Sequence, residues 1–326
     1  MKKNFIGYII GIIIVFCLVY YICNVYEFHI LIKRVGFLDT IVSIAICAIL
    51  SLITGIRIDL ILRRNYGLRI SNFDKFTLPI ASNLWSYIIP IKGSIIYFSA
   101  LLKVKYNIGL LSSFAISMFT YLISLIVVGI TGTIYYFLAY PKISIVVLII
   151  SLFLLSTPLI LYLFKLVFIR FKLKKNNFFN KFCNIFETFI TDILKMWTDK
   201  IILINLILLS IAYSLVGSIW IYWLIIVFDI NGNFLTAIIV YNISILSIIF
   251  RFIPGNLGLN EIIMGGLFLS LNSEFGQGII IGLFVRLSTL LIAFTIGIFA
   301  TYHNSMYFNT RSFKGVINQL KLLIKN

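Results

Sequence analysis

The sequence predicts an all-α, polytopic helical membrane protein, and three features of its composition support that fold class. Of the 326 residues, 61% are hydrophobic and only 11% are charged, whereas soluble domains are about 45–50% apolar and about 25% charged. The mean hydropathy is +1.10, and apolar runs of about 20 residues, the length of a membrane helix, recur along the chain. This composition excludes an ordinary soluble enzyme, a disordered tail and a nucleic-acid-binding module, despite the net charge of +17.

Six apolar runs are long enough to cross a bilayer as single, tilted helices. The first run follows Lys2 and Lys3 and has no small-residue cleavage site, so we expect it to be retained as a helix rather than removed as a signal peptide. The predicted spans are Phe5–Val25, Phe37–Ile56, Leu110–Leu138, Ile143–Ile169, Ile201–Phe228 and Gly278–Tyr302.

Two further apolar stretches, Phe76–Leu102 and Phe234–Leu271, are interrupted near their middle. Proline and glycine break the helical hydrogen-bond ladder, and broken backbone inside a bilayer must be buried in protein or line water. We therefore expect each stretch to form a re-entrant hairpin of two half-helices. The alternative, in which the chain has eight or more full spans, stays open because the second stretch is nearly long enough for two. The breaks contain Pro90, Lys92 and Gly93 in the first stretch, and Pro254, Gly255 and Gly258 in the second.

The distribution of lysine and arginine predicts the orientation, because these residues concentrate on the cytoplasmic side of a membrane protein. Basic residues are frequent in Arg57–Lys75, in 170–200 and in the tail, whereas Asp229–Asn233 and Asn272–Gln277 carry none. Both termini are therefore expected in the cytoplasm of a multi-pass cell-membrane protein, with hairpins of opposite orientation. The organisation is one integral membrane domain, 1–326, with a cytoplasmic amphipathic linker at 170–200 and a basic cytoplasmic tail at 303–326.

The linker contains a predicted amphipathic helix, because apolar residues recur at helical spacing from Phe178 to Trp197. Basic residues precede it, which is typical of a helix that lies on an anionic leaflet. Two interpretations stay open: the helix anchors the topology, or it recruits acidic phospholipid toward a transport path.

Ionisable residues inside membrane helices are costly and indicate functional sites. The clearest are Glu261 and Arg251, on either side of the second break, and Arg286 in the last span. Asn260 is predicted to cap a half-helix that begins near Glu261, and such a helix start attracts anions. Glu261 and Arg286 form either a buried structural pair or a headgroup or proton-coupling site, and the two are compatible. The four cysteines lie singly, without metal-ligand spacing, so we expect no metal and no cofactor.

The segment Pro254-Gly255-Asn256-Leu257-Gly258-Leu259-Asn260-Glu261 resembles the proline-glycine-x-leucine-glycine-x-x-glutamate signature of the membrane region of lysylphosphatidylglycerol synthases. The family also includes many stand-alone membrane proteins. The similarity extends to Arg286-Leu287-Ser288-Thr289, which resembles the family's arginine-bearing last helix, and to Arg57–Ser71, Asn83 and Pro90. Ser94 stands where the family commonly has an acidic residue after the first break.

The resemblance implies a flippase-like protein that translocates a phospholipid or a polyprenyl-linked lipid across the cytoplasmic membrane of a prokaryote. It implies the lipid-translocating part without the soluble aminoacyltransferase domain, so we expect no enzymatic activity. The alternatives are a phosphatidylglycerol lysyltransferase-type enzyme or its membrane subunit, and a non-transporting scaffold. Expected partners are anionic membrane lipids and a separate lipid-modifying or glycosyltransferase enzyme, with no nucleic acid. The expected headgroup-binding or charge-coupling residues are Glu261, Arg286, Arg251, Lys92, Asn256 and Asn260.

Overall fold

The computed structural model describes residues 35–89, 93–139, 177–245, 256–271 and 273–308, together with Tyr20, Leu152, Ser156, Leu159, Ile160, Tyr162 and Leu163. Every regular element in these ranges is helical, which confirms the all-α class. The helices are α1 (Phe37–Tyr66), α2 (Asn72–Ile88), α3 (Gly93–Tyr106), α4 (Leu110–Ala139), α5 (Asn177–Thr198), α6 (Lys200–Val227), α7 (Phe234–Ile245), α8 (Leu259–Ser270) and α9 (Phe275–Ser305), followed by a 3-10 turn at Met306–Phe308.

Within the described ranges, four helical segments are long and apolar enough to cross a membrane: α1, residues 110–131 of α4, α6, and α9 with its 3-10 turn. A stripe of isoleucine and leucine along α6, at a spacing of three to seven residues, is exposed, as expected for a helix that faces lipid. The protein is therefore a multi-pass membrane protein. The predicted spans Phe5–Val25 and Ile143–Ile169 lie outside the described residues, so the number of spans stays a prediction. The exposed stripe is Ile201, Ile204, Leu208, Ile211, Leu215, Ile219 and Ile226.

Helix α1 continues ten residues beyond its predicted end at Ile56. The charged residues that suggested a loop are compatible with the helix because Asp59 forms an ion pair with Arg63 one turn later, at 2.6 Å. The helix ends where Gly67 adopts a left-handed backbone, φ 65°, which glycine takes at low cost. Arg57, which the sequence analysis counted among the bases of a connection, is instead buried within the helix.

The described residues divide into two compact units. Unit 1 contains the described parts of Met1–Ile53, Phe76–Ser94 and Ala212–Thr301, and unit 2 those of Thr54–Lys75, Ile95–Ile211 and Tyr302–Asn326. In unit 1 a buried apolar cluster joins side chains from α1, α2, α6, α7, α8 and α9. Buried polar side chains also form hydrogen bonds there: the Trp220 indole donates to Ser43 Oγ at 3.1 Å, and the Ser214 hydroxyl donates to Asn242 Oδ1 at 2.8 Å.

In unit 2 the amphipathic helix α5 packs its apolar face on α4. The Phe114 and Phe189 rings lie 5.3 Å apart, and the Phe119 and Trp197 rings lie 6.1 Å apart in an edge-to-face arrangement. The Ser112 hydroxyl donates to Asp192 at 2.8 Å. The helix predicted from Phe178 to Trp197 is present, but along Glu187–Thr198 protein rather than lipid covers much of its apolar stripe.

Both interrupted stretches bring their outer ends together. In the first, Lys105 Nζ at the end of α3 contacts Asp74 at the start of α2, at 2.7 Å, so α2 and α3 form a helical hairpin. In the second, the Ser273 hydroxyl after α8 donates to the Asn231 carbonyl before α7, at 2.9 Å. We call these the first and second hairpin. The outer ends of the first hairpin belong to unit 2, and those of the second to unit 1.

Candidate functional site

Helix α8, the last part of the second hairpin, begins after a turn in which two residues have positive φ angles. Asn256 and Gly258 adopt left-handed backbone conformations, with φ 54° and 82°. Gly258 is the residue that caps α8, and no side chain bonds to the free backbone of the cap. Our prediction that Asn260 caps this helix was wrong: the turn at Gly258 lets the helix begin earlier, at Leu259, so Asn260 lies within its first turn.

Helix α9 approaches α8 closely because glycines line the contact. A Cβ atom at Gly278 would lie 2.5 Å from the Met264 carbonyl oxygen, and one at Gly282 would lie 3.1 Å from the Glu261 Cα. Gly278, Gly282 and Arg286 recur every four residues, so they share one face of α9. Small residues of this kind allow membrane helices to approach at backbone distance. The face that carries the glycines therefore also directs Arg286 at α8.

Glu261 and Arg286 form a buried ion pair, as one of the two interpretations from the sequence predicted. The side chain of Glu261 is 0% exposed and that of Arg286 is 9% exposed. Arg286 Nε donates to Glu261 Oε1, and its Nη2 donates to Oε2 at 3.3 Å. The same Nη2 donates to the Asn256 carbonyl oxygen at 2.8 Å. Each charge thus neutralises the other, and the guanidinium also fastens the turn that precedes α8.

The other predicted site residues have different outcomes. Asn256 takes part through its backbone carbonyl, and its side chain is buried. Gly93 begins α3 so close to the end of α2 that a Cβ there would lie 2.3 Å from the Trp85 carbonyl oxygen. The predicted residues outside the described part of the chain are Lys92, Pro90, Arg251, Pro254 and Gly255.

A second polar cluster, in unit 2, holds the outer ends of the first hairpin. Lys105 Nζ lies 2.7 and 2.9 Å from the two oxygens of Asp74, and the Tyr106 hydroxyl donates to Asp74 at 2.9 Å. Nearby, Lys75 pairs with Asp59 at 3.1 Å, and Asp59 also accepts the backbone N–H of Ile70. Both carboxylates are almost fully buried, with 5% of the side chain exposed. The cluster fastens α1, α2 and α3 by charge.

The environment of Asp74 favours its ionised form. Burial alone would raise the pKa of this carboxyl, but hydrogen bonds from Lys105, Ser71 and Tyr106 outweigh burial and hold the pKa below its usual range. Burial, the Asp74 charge and the hydrogen bond to it raise the pKa of the Tyr106 phenol. At neutral pH the pair therefore consists of a carboxylate and a neutral phenol.

This cluster was not predicted from the sequence, although the sequence contains one signal for it. Ser71 and Asp74 form a serine-x-x-acid pair: Ser71 Oγ accepts the Asp74 backbone N–H at 3.0 Å and donates to Asp74 Oδ2 at 2.8 Å. This spacing is typical of a capped helix start. It predicts the start of α2 but gives no indication of Lys105, which is 31 residues away along the chain.

Arg57 was also missed as a buried residue. It donates to Ser124 Oγ and to the Leu209 carbonyl, each at 3.1 Å, and thereby joins α1, α4 and α6 within unit 2. Within the described ranges, His, Cys, Asp and Glu side chains form no group of three or more with the geometry to hold a metal ion.

The model of the family described as the lysylphosphatidylglycerol synthase TM region matches residues 6–297. No curated protein and no solved structure matches the chain.

Proposed function

Since the chain belongs to the family of the lysylphosphatidylglycerol synthase TM region, we propose that it moves a lipid between the two leaflets of a cytoplasmic membrane. The cargo is a phospholipid or a polyprenyl-linked lipid. One observation carries the proposal: an ion pair, Glu261 with Arg286, is buried among apolar helices and bonded to the turn that precedes α8. Buried ionisable groups in membrane helices are costly and are typical of transport sites.

The two hairpins support a transport architecture. Helix α8 has 12 residues, about 18 Å at 1.5 Å per residue, which is shorter than the hydrocarbon core of about 30 Å. We propose that both hairpins are re-entrant. Their outer ends differ in charge: Arg63, Arg64 and Lys75 flank the first, whereas Asp229–Asn233 and Asn272–Gln277 contain no base. The positive-inside rule then places the first hairpin's ends, and both termini, in the cytoplasm.

In the proposed mechanism, an anionic headgroup exchanges with Glu261 for the guanidinium of Arg286. The guanidinium can do this because its planar donors suit both carboxylate and phosphate. While no headgroup is bound, Glu261 keeps Arg286 neutralised and the site closed. The acyl chains stay in the bilayer throughout, beside the apolar faces of the helices. Arg251 and Lys92 stay predicted as bases that steer the headgroup.

The chain makes no covalent change to the lipid in this proposal. A separate lipid-modifying enzyme or glycosyltransferase supplies the cargo, and membrane lipids are its other partners. The direction of net movement is then determined by where that enzyme releases its product.

The test is leaflet exchange of fluorescent phospholipids in proteoliposomes, with a variant that separates transport from folding. The double variant E261Q/R286M removes both charges together, so no buried charge is left without its partner. We expect it to fold but to exchange lipid at the rate of protein-free vesicles. The matched control is Arg64→Met, which removes an arginine from a half-exposed pair with Asp199 and should retain wild-type exchange. A folded double variant with wild-type exchange would reduce the pair to a structural role and overturn the proposal.

A further inference from the structure

The end of α9 packs against the first hairpin through aromatic rings, all within unit 2. The His303 ring lies 5.1 Å from the Phe73 ring of α2, and the Phe308 ring lies 6.2 Å from the Tyr97 ring of α3. Lys105 Nζ lies 4.6 Å from the centre of the Tyr307 ring. We call this contact, between residues 303–308 and the two helices of the first hairpin, the α9 seam.

Asn304 lies in the α9 seam and is 0% exposed. It lies in the last turn of α9, four residues before Phe308. In the part of the chain that the structure describes, neither the amide nitrogen nor the amide oxygen of Asn304 has a hydrogen-bond partner. The neighbouring Ser305 hydroxyl, by contrast, donates to the Tyr302 carbonyl at 2.6 Å.

A buried carboxamide without hydrogen-bond partners destabilises a contact that stays closed. An asparagine side chain has two donors and an acceptor oxygen, and each buried polar group without a partner reduces stability. Leucine has the same number and branching of side-chain heavy atoms and carries no polar group that needs a partner. The amide atoms of Asn304 are also shielded from solvent, so water cannot satisfy them while the seam is closed.

The contacts across the seam are ring contacts: the Phe73–His303 and Tyr97–Phe308 pairs, and the cation–π contact of Lys105 with Tyr307. Such contacts contribute only modestly beyond the apolar area that they bury. The Lys105–Asp74 ion pair joins α2 to α3 within the first hairpin, so it stays intact when the seam opens.

From these observations we infer that the α9 seam opens and that Asn304 then binds a hydroxyl-bearing ligand, either water or the hydroxyls of a lipid headgroup. A neutral amide, which both donates and accepts, matches hydroxyl groups rather than a phosphate. The opening itself is independent of the proposed function, and only the assignment to a lipid headgroup rests on it.

The experiment measures the rate at which a membrane-impermeant methanethiosulfonate reagent modifies Asn304→Cys in lipid nanodiscs. The background replaces Cys17, Cys23, Cys47 and Cys183 by alanine. The matched control is Ser113→Cys, which is also 0% exposed and lies in the same unit. We expect modification of Asn304→Cys to be at least tenfold faster than that of the control. Equal rates would show that the seam stays closed and would overturn the inference.

The lipid of the nanodisc distinguishes the two sources of hydroxyl groups. This comparison uses Ser305→Cys, which keeps Asn304. Slower modification of Ser305→Cys in phosphatidylglycerol than in phosphatidic acid, which has no glycerol hydroxyl in its headgroup, assigns the ligand to a lipid headgroup. Equal, fast modification in both lipids assigns it to water. Both outcomes are rates of cysteine modification and do not depend on lipid exchange. The opening of the seam is therefore tested separately from the transport proposal.

A second reporter guards against misfolding of Asn304→Cys. Ser305→Cys is a conservative change at a buried neighbour, 3% exposed. Adding Asn304→Leu removes the hydrogen-bonding capacity of the seam and should hold it closed. We expect modification of Ser305→Cys to slow at least fivefold in that background, and an unchanged rate would contradict the role of Asn304.

Discussion

Removing one member of the Glu261–Arg286 pair should destabilise the protein more than removing both. Arg286→Met leaves a carboxylate at 0% exposure without its guanidinium, and loss of one partner of a buried pair costs about 3–5 kcal/mol. It also removes the 2.8 Å hydrogen bond to the Asn256 carbonyl, which adds about 1 kcal/mol. Glu261→Gln keeps that second bond, so we expect it to cost about 1 kcal/mol less than Arg286→Met.

The double variant E261Q/R286M leaves no buried charge, so the remaining costs are the lost bond to the Asn256 carbonyl and a buried amide at position 261 that has lost the guanidinium. We expect it to lower the free energy of unfolding by about 2–4 kcal/mol, still far below the sum of the two single changes. Arg64→Met serves as the control, because the side chains of the Arg64–Asp199 pair are 50% and 28% exposed and such pairs contribute about 0–1 kcal/mol.

The free energies are measured by unfolding in mixed micelles of increasing sodium dodecyl sulfate content, followed by tryptophan fluorescence. A double-variant cost far below the sum of the single-variant costs shows coupling between Glu261 and Arg286 and supports the buried pair. Additive effects of the single changes, or a cost for Arg286→Met no greater than that for Arg64→Met, would refute the reasoning.

Three further predictions test other contacts. Gly278→Ala places a Cβ 2.5 Å from the Met264 carbonyl oxygen, so it should lower the free energy of unfolding by about 1–3 kcal/mol. In the control, Gly266→Ala, the added Cβ meets nothing within 4 Å, and stability should change by less than about 1 kcal/mol. Equal costs for the two variants would contradict the close approach of α8 and α9. The Ile193 side chain is 1% exposed, so Ile193→Ala should lower the free energy of unfolding by about 2–5 kcal/mol and make α5 more sensitive to proteases. An unchanged rate of proteolysis would contradict the packing of α5 on α4. Because the pKa of Asp74 is lowered, its charge stabilises the fold above the unfolded pKa of about 3.9, and this contribution is lost as pH falls through the lower folded value. Asp74→Asn should therefore be less stable than wild type at pH 7 and lose less on acidification, and parallel pH profiles would contradict the assignment.

The helices follow from hydrophobic pattern, and their ends follow from local chemistry. The apolar runs predicted α4 and α6 to within one residue at each end, because composition alone decides which segments enter a bilayer. The end of α1 was predicted ten residues too early, because the basic residues from Arg57 to Lys75 were interpreted as a connection, although Arg63 pairs with Asp59 within the helix. Local spacing can reveal such a pair, whereas mean hydropathy cannot.

The contacts of the candidate site likewise divide into those that the sequence predicts and those that it does not. Glu261 and Arg286 could be predicted as a pair, because few ionisable residues lie in apolar segments and opposite charges are expected to meet there. Two other contacts could not be predicted, because they join residues that are far apart along the chain. Asp74 and Lys105 are 31 positions apart, and Arg57 and Leu209 are 152 positions apart. Only the folding of the chain decides those neighbours. The amphipathic spacing of α5 likewise gave the correct helix without indicating that its apolar face packs on α4.

The transport site is best tested by an experimental structure of the protein in nanodiscs of anionic lipid, at a resolution that shows the surroundings of Arg286. We expect headgroup density within hydrogen-bonding distance of the guanidinium in one class of particles, with Glu261 displaced, and the closed pair in the other. If every class shows Glu261 bound to Arg286 and only acyl-chain density against α8 and α9, the pair is structural and the proposed transport site is wrong.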